Sequence, residues 1–289
     1  MKKLRFLIEY IFLSILFLVL SLLPINLVSR IGGCILKIFG PISKAHKTAL
    51  RNYKKVFTDV SNDKINYGVR KSWENLGKTL FELSILEKIV DKKNNMITVK
   101  GLENIKGTIQ KNERVIFFGI HQSNWEILVP TIDQLGINIG AIYRHINNRY
   151  INEMILRKRK LTINRDKSFY TPKGKESAKD ILTALNNNLS IILLIDQKDS
   201  AGDNVNLFNN LVKTQTGFLK IARKHNIKLI PIKNTRYNNN NFIINFCKPL
   251  RPFDKNSSDI EAMQKIHKIV ENWIIENPNQ WFWQHNRFN

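Results

Sequence analysis

Cysteine is scarce in this sequence, and so are acidic residues. The 289 residues include two cysteines, Cys34 and Cys247, which are too few for a disulfide framework or for a Cys₄ or Cys₃His zinc site. The sequence has 23 aspartates and glutamates but 46 lysines and arginines, which gives a net charge of +23. So basic a chain favours an acidic partner, such as nucleic acid, an anionic membrane surface, a phosphorylated substrate or an acidic protein.

Several familiar catalytic motifs are also missing. The sequence contains no GxSxG, no GxxxxGK[ST], no GxGxxG and no histidine pair at metal-ligand spacing. Their absence disfavours α/β hydrolases, P-loop enzymes, Rossmann dehydrogenases and zinc hydrolases. Nucleic acid is disfavoured as well, because the aromatic residues fall mostly in apolar runs and are rarely interleaved with cations. With 43% hydrophobic residues the chain has enough apolar material for a core, and is not a disordered polycation.

The N-terminus predicts a membrane anchor over residues 1–30, followed by a catalytic domain over 31–289. Residues 10–29 carry no charge, and no small-x-small cleavage site follows them, so a retained anchor is favoured over a cleaved signal peptide. The strictly apolar part is shorter than the ~20 residues of a full span. A short span and a half-inserted hairpin that turns at Pro24 both remain open. More cations follow the apolar run than precede it, which predicts a cytoplasmic body.

The rest of the chain predicts an α/β fold, with a mostly parallel, twisted central sheet flanked by helices. Buried strands are expected over 114–120, 139–143, 190–195 and 228–232, and helical patterns separate them. We also expect one helix over 63–90, another over 124–135 and a hairpin turn at 238–241. In such sheets, functional groups collect beyond the carboxyl ends of the strands.

One stretch at such a strand end can carry acid–base chemistry. His121 follows a buried strand, and Glu126 falls in the first turn of the next helix, which Asn124 can cap. The spacing lets the Glu126 carboxylate fold back onto the imidazole. A carboxylate on one ring nitrogen fixes the tautomer and raises the basicity of the other nitrogen. The pattern therefore predicts a His121–Glu126 dyad that deprotonates a substrate hydroxyl.

These residues resemble a known family. The stretch 119–126 is similar to the His-x₄-acid block of the lysophospholipid acyltransferase superfamily, and its Asn-Trp-Glu ending is similar to the lauroyl/myristoyl acyltransferases of bacterial lipid A biosynthesis. The resemblance continues along the chain at 142–148, 193–197, 216–218, 229–232 and 278–287. It departs at 207–210, where the family usually has Phe-Phe-Gly, and near 284–287, where more arginine is usual.

The resemblance implies a reaction and its partners. We expect acyl transfer from an acyl carrier protein thioester to a hydroxyl of a lipid A precursor, at the cytoplasmic face of the bacterial inner membrane. His121 would take the proton, Glu126 would stabilise the imidazolium, and backbone N–H groups near Asn124 would bind the oxyanion. No metal and no redox cofactor is implied.

Further residues are candidates for substrate binding. Arg144 lies just past a strand, where it can clamp a phosphate, or is a plain surface arginine. Asp196 and Gln197 end another strand on the same edge, and can orient the acceptor or hold Arg144. Arg165 and Arg236 are weaker candidates for phosphate contacts, and Asn124 is a further candidate for substrate binding.

Other interpretations stay open at this point. The same chemistry can act on another acceptor, such as a lysophospholipid, an ornithine lipid or a glycolipid. A membrane-tethered basic protein without enzymatic activity would explain the charge and the anchor, but not His121 and Glu126 at a strand end. The run of four cations at 157–160 is either a docking patch for the acidic carrier protein or for lipid head groups, or a solvated helix end that suits the helix dipole.

Overall fold

The sheet is built from short strands that lie between helices. The computed structural model describes residues 2–238, 240–250 and 257–288. Its strands, numbered along the chain, are β1 (Ile97–Lys100), β2 (Ile116–Gly119), β3 (Ile139–Tyr143), β4 (Phe169–Pro172), β5 (Ser190–Leu194), β6 (Asp203–Leu207), β7 (Asn210–Thr214), β8 (Leu229–Tyr237) and β9 (Asn241–Phe246). Asn239, inside the predicted hairpin turn, lies outside the described residues.

Seven of these strands form one sheet in the order β1-β9-β8-β2-β5-β3-β4. Neighbouring strands are parallel except β8 and β9, which are antiparallel, while β6 and β7 form a separate antiparallel hairpin. The predicted α/β class with a mostly parallel sheet is confirmed. Pro172 lies in the edge strand β4, a position that tolerates a residue without an N–H donor.

Helices cover both faces of the sheet. They are α1 (Lys2–Ser21), α2 (Ile25–Phe39), α3 (Lys44–Val56), α4 (Asn62–Glu82), α5 (Leu86–Val90), α6 (Lys106–Lys111), α7 (Leu128–Gln134), α8 (Arg149–Lys160), α9 (Lys175–Asn186), α10 (Gly217–Lys224) and α11 (Asp259–Glu276). Strand β2 is buried throughout, with Phe118 in the core on one face and Phe117 in the core on the other. This explains why its sequence is continuously apolar and does not alternate.

The N-terminal apolar segment forms two helices joined at Pro24. Helix α2 crosses position 30, the predicted boundary between anchor and domain, and packs closely on α4. Gly32 is needed at this contact, because a Cβ there would lie 2.4 Å from the carbonyl oxygen of Gly77. Helix α2 is therefore tied to the body of the protein on one face.

Two predicted helices differ from the observed ones. The helix expected over 63–90 is interrupted by a short 3-10 turn at Leu83–Ile85. The helix expected from Asn124 begins as a 3-10 turn, Trp125–Ile127, and becomes α-helical only at Leu128. Pro130 explains the delay, since a helix starting at Leu128 places this residue in the first turn, where its missing N–H costs nothing.

Candidate active site

Three strand ends bring the candidate residues to one edge of the sheet. Strands β2 and β5 pair in parallel with Gly119 opposite Leu194, so His121 and Asp196 both lie two residues beyond paired positions. Arg144 directly follows β3, which is the other neighbour of β5. The register of the sheet thus places the three side chains along a single edge.

The imidazole of His121 is held by Asp196. Its Nδ1 lies 2.7 Å from Asp196 Oδ1, and its backbone N–H donates to Asp196 Oδ2 at 3.0 Å. A carboxylate can only accept here, so Nδ1 carries the proton and Nε2 is left as the basic nitrogen. The Gln197 amide lies 3.2 Å from this Nε2.

Asp196 remains a carboxylate despite its burial. Burial opposes its charge, but the neighbouring His121 ring and the hydrogen bonds it accepts outweigh burial and hold the pKa of this carboxyl below its usual value. An ionised Asp196 stabilises a protonated imidazole. The pair is therefore able to accept a proton at His121 Nε2.

Glu126 does not form the predicted dyad with His121. Its two carboxylate oxygens accept from Arg159 Nε at 2.6 Å and Nη2 at 2.7 Å, and Oε1 also accepts from the indole of Trp125. Burial opposes the charge on Glu126, but the Arg159 guanidinium outweighs it and holds the pKa of the carboxyl below its usual value. The predicted His121–Glu126 contact is absent because the bidentate Arg159 satisfies both oxygens of Glu126, and because Asp196 already occupies Nδ1 of His121.

Asn124 supports the turn after His121 and does not face substrate. It is fully buried, and its side-chain oxygen accepts from the Glu126 N–H at 3.1 Å, which confirms its predicted capping role. Its amide donates to Glu82, which also binds the predicted phosphate ligand Arg236 at two positions. Asn124 and Arg236 are thus committed to a buried network, which corrects their assignment to substrate binding.

Backbone donors near Asn124 are also largely used. The Ser123 N–H donates to the Gln280 carbonyl at 2.9 Å, and the Glu126 N–H donates to Asn124. These two groups are therefore not available to the predicted oxyanion. The side-chain amide of Gln197, by contrast, lies 3.2 Å from the reactive nitrogen, beside the place where a substrate carbonyl would react.

The two remaining arginines differ in position. Arg144 is exposed and lines the cavity described next, and no hydrogen bond or ion pair of its guanidinium occurs within the described part of the chain. The Nε of Arg165 donates to Asn138, and Arg165 does not line the cavity, so the structure does not bring it to the other candidates. Of the predicted phosphate ligands, Arg144 alone combines a free guanidinium with a place at the site.

A mostly apolar cavity of about 580 Å³ opens beside His121. Its volume lies in the usual range for ligand pockets. Its polar lining includes His121, Glu126, Arg144, Arg159 and Gln197. Its apolar lining includes Leu83, Leu128, Val129, Ile142, Ile146, Ile155, Ile181, Phe218, Ile221 and Phe282. An alkyl chain fits this lining, with its reactive end at the imidazole.

Sequence reasoning missed the part of the site that comes from the end of the described chain. The indole N–H of Trp281 donates to Asp196 Oδ2 at 2.8 Å, and the ring of Phe282 packs 6.1 Å from that of His121. His285 lies close by and accepts from the Lys198 N–H. Only the resemblance at 278–287 marked this segment, and it assigned no role to Trp281.

Comparison with known proteins places these features in context. The model of the family described as bacterial lipid A biosynthesis acyltransferase matches residues 1–289. Among solved structures, the chain is similar to the 1-acyl-sn-glycerophosphate (LPA) acyltransferase from Thermotoga maritima, at 16% identity and a TM-score of 0.39, over 86% of this chain and 97% of that one. No curated protein matches the chain significantly in sequence.

Proposed function

The chain belongs to the bacterial lipid A biosynthesis acyltransferase family, and from this premise we propose that it moves a fatty acyl group from an acyl carrier protein thioester to a hydroxyl of a lipid A precursor. The observation that carries the proposal is His121, held at Nδ1 by Asp196 and presenting Nε2 beside an apolar cavity. The family membership makes the protein a lipid acyltransferase. The donor, the acceptor and the roles of individual residues are proposals.

In the proposed mechanism the substrate alcohol is the nucleophile. His121 Nε2 takes the hydroxyl proton as the oxygen attacks the thioester carbonyl, and Asp196 stabilises the imidazolium. Gln197 turns from Nε2 toward the carbonyl oxygen and stabilises its developing charge. When the tetrahedral intermediate collapses, the C–S bond breaks and the imidazolium returns the proton to the leaving sulfur. Every bond and proton is then accounted for without a cofactor.

Substrate placement follows from the lining of the cavity. The apolar wall takes the alkyl chain, because removing it from water is favourable by roughly 0.8 kcal/mol per CH₂. Arg144, free and exposed at the edge where the reaction occurs, binds a phosphate of the acceptor. Glu126 holds Arg159 against the cavity wall and so acts on the shape and charge of the site, not on the imidazole.

We further propose that the protein attaches to the cytoplasmic face of the inner membrane through α1 and α2. Both N-terminal segments are long and apolar enough to cross a membrane, and large apolar side chains such as Phe12 and Ile38 are more than half exposed. However, α1 packs against α8 and the residue that caps it. Asn148 donates to the Phe6 carbonyl at 2.8 Å, and Ser14 contacts Met154 at 3.4 Å.

This docking favours an anchor that lies in one leaflet. Helix α8 carries several charged residues, among them Arg157 and Lys160, and a spanning α1 would draw its packing partner into the hydrocarbon. Lying in the interface, α1 exposes its apolar face to lipid and keeps α8 in water. The cavity then opens on a body held at the membrane surface.

The proposal is tested with purified full-length protein in detergent. It should transfer acyl chains from defined acyl carrier protein thioesters to a lipid A precursor, with the product identified by mass spectrometry. His121→Ala should abolish transfer while leaving the circular dichroism spectrum unchanged, since it removes the base. Parallel assays with a lysophospholipid, an ornithine lipid and a glycolipid test the alternative acceptors. Transfer to one of these alone, or full activity of His121→Ala, contradicts the proposal.

A further inference from the structure

The residues that follow α11 cross directly over the active-site loop. Gln122 and Trp281 form an isolated antiparallel bridge. The Phe282 N–H donates to the His121 carbonyl at 3.0 Å, and the Ser123 N–H donates to the Gln280 carbonyl at 2.9 Å. Backbone bonds on both sides of Trp281 therefore fix this residue relative to His121.

The indole of Trp281 completes a hydrogen-bonded chain to the reactive nitrogen. Its N–H donates to Asp196 Oδ2 at 2.8 Å, while Asp196 Oδ1 lies 2.7 Å from His121 Nδ1. The side chain of Trp281 is almost completely buried, and the backbone hydrogen bonds on both sides hold it against the His121 loop. Both oxygens of Asp196 thus have fixed donors, and rotation of the carboxylate about its Cβ–Cγ bond would break both contacts.

We infer that Trp281 is a positioning residue for acyl transfer: it fixes the plane of the Asp196 carboxylate, and through it the tautomer and direction of the His121 ring. The inference rests on the proposed function. Trp281 does not line the cavity, so its loss should lower kcat and leave binding of donor and acceptor nearly unchanged. A carboxylate that can rotate spends only part of its time opposite Nδ1, and the ring then samples orientations in which Nε2 points away from the acceptor hydroxyl.

The experiment compares three replacements in the full-length protein. Trp281→Phe removes the N–H and part of the ring, and incorporation of 3-benzothienylalanine at position 281 replaces the N–H by sulfur while keeping the ring shape. Trp283→Phe is the matched control, because Trp283 is a buried tryptophan of the same segment whose N–H donates to the Pro278 carbonyl at 2.6 Å. Each protein is assayed for kcat and KM, and its histidine ¹⁵N resonances are recorded by NMR.

We expect both replacements at 281 to lower kcat about 10- to 100-fold with KM within about threefold of the parent. The His121 ¹⁵N shifts should move from those of a single Nδ1–H tautomer toward an average of two tautomers. Trp283→Phe should lower the melting temperature but keep the parent kcat and the single tautomer. The benzothienyl variant preserves packing, so it reports on the hydrogen bond even where Trp281→Phe folds poorly.

The two hypotheses fail in different ways. If parent kcat and a single tautomer persist in the folded benzothienyl variant, Trp281 has no positioning role, whatever the substrate is. If the parent protein does not use acyl carrier protein thioesters or a lipid A precursor, the proposed function fails, while the NMR comparison still decides the role of Trp281. Equal kcat losses at 281 and 283 with an unchanged tautomer would make both residues structural.

Discussion

At the scale of single residues, two buried carboxylates near His121 have different partners. Asp196 binds the imidazole, and Glu126 binds Arg159. We predict that Asp196→Asn lowers kcat by about 10²–10⁴, because the amide cannot stabilise an imidazolium and favours the wrong tautomer. Turnover under saturating substrate measures this loss, and an unchanged circular dichroism spectrum shows that the fold is retained.

The role of Glu126 is separated by a double-mutant cycle. If Glu126 acts by holding Arg159, then Glu126→Gln and Arg159→Gln should be strongly non-additive, with the double variant about as impaired as the worse single variant. Glu126→Gln and Asp196→Asn should instead multiply their effects on kcat. The opposite pattern, coupling to Asp196 and none to Arg159, would restore the His121–Glu126 dyad of the sequence interpretation.

A third residue-scale prediction concerns acid stability. Burial lowers the pKa of His267 to about 4, against an unfolded value of 6.5. The charges of Arg287 and Lys268 also lower this pKa, and that of Glu271 raises it. Between these values the unfolded chain binds a proton that the folded chain does not, so stability is present above pH 6.5 and falls as the pH falls toward 4. For a shift of this size the loss at pH 5 is about 2 kcal/mol.

Urea unfolding of the protein in detergent measures this effect. The free energy of unfolding should fall between pH 7.5 and pH 5, and His267→Gln should reduce the slope, because its amide can still donate to the Asn206 carbonyl that His267 Nδ1 contacts. Equal slopes in the two proteins would show that other groups govern acid sensitivity.

The sequence predicts site residues that lie at strand ends, but not contacts between side chains that are far apart in the chain. His121, Asp196, Gln197 and Arg144 were found because parallel strands place their carboxyl ends on one edge. The partner of Glu126 was not found, since a spacing within one loop says nothing about an arginine on a distant helix. Trp281 was missed for the same reason: its bond to Asp196 joins positions 85 residues apart and has no local signature.

At the scale of elements, the docked position of α1 makes a direct prediction. In a background with Cys34→Ala and Cys247→Ala, the pair Ser14→Cys and Met154→Cys should form a crosslink in native membranes, because the two side chains are in contact. Phe12→Cys with Met154→Cys is the control, since Phe12 is 69% exposed. Crosslink yield on a denaturing gel is the measurement. No crosslink with Ser14→Cys and Met154→Cys would show that α1 is not docked on α8 in the membrane.

The elements themselves were predicted unevenly. The buried strands over 114–120, 139–143 and 190–195 are long apolar runs, and each contains an observed strand. The hairpin of β6 and β7 was not predicted, because its strands are half polar and its turn, Phe208-Asn209, lacks the glycine that usually marks two residues with positive φ. Strand β4 at the sheet edge is short and was missed as well.

At the scale of the whole molecule, the net charge of +23 suits the acidic carrier protein that we propose as the donor. The cation run at 157–160 is less uniform than it looks, since Arg159 is bound to Glu126 and Lys158 to Glu87. Arg157 and Lys160 are exposed and three residues apart, which places them on one side of α8. They are the members of the run that remain able to face a partner.

We predict that Arg157→Glu with Lys160→Glu raises KM for acyl carrier protein thioesters several-fold. The same variant should use a small acyl thioester as well as the parent does, because only the carrier is steered by charge. Added salt should mimic the change in the parent, since the Debye length is about 8 Å at physiological ionic strength. Lys106→Glu with Lys111→Glu is the control, on exposed positions of α6 that precede β2. Equal losses of activity with both donors would show that Arg157 and Lys160 stabilise the fold or contact the lipid acceptor, and do not bind the carrier protein.

The contact between Trp281 and Asp196 also sets the time during synthesis at which the active site can form. His121 and Asp196 are 75 positions apart, and Trp281 follows Asp196 by 85 more. At a ribosomal rate of ~10 residues per second, about a quarter of a minute separates the synthesis of His121 from that of Trp281. Helices α1 and α2 emerge well before either. If α1 and α2 attach the chain to the membrane as proposed, the nascent protein is bound there before Trp281 can position Asp196 and His121. It therefore reaches the membrane that holds its acceptor before it can react with the acyl thioester.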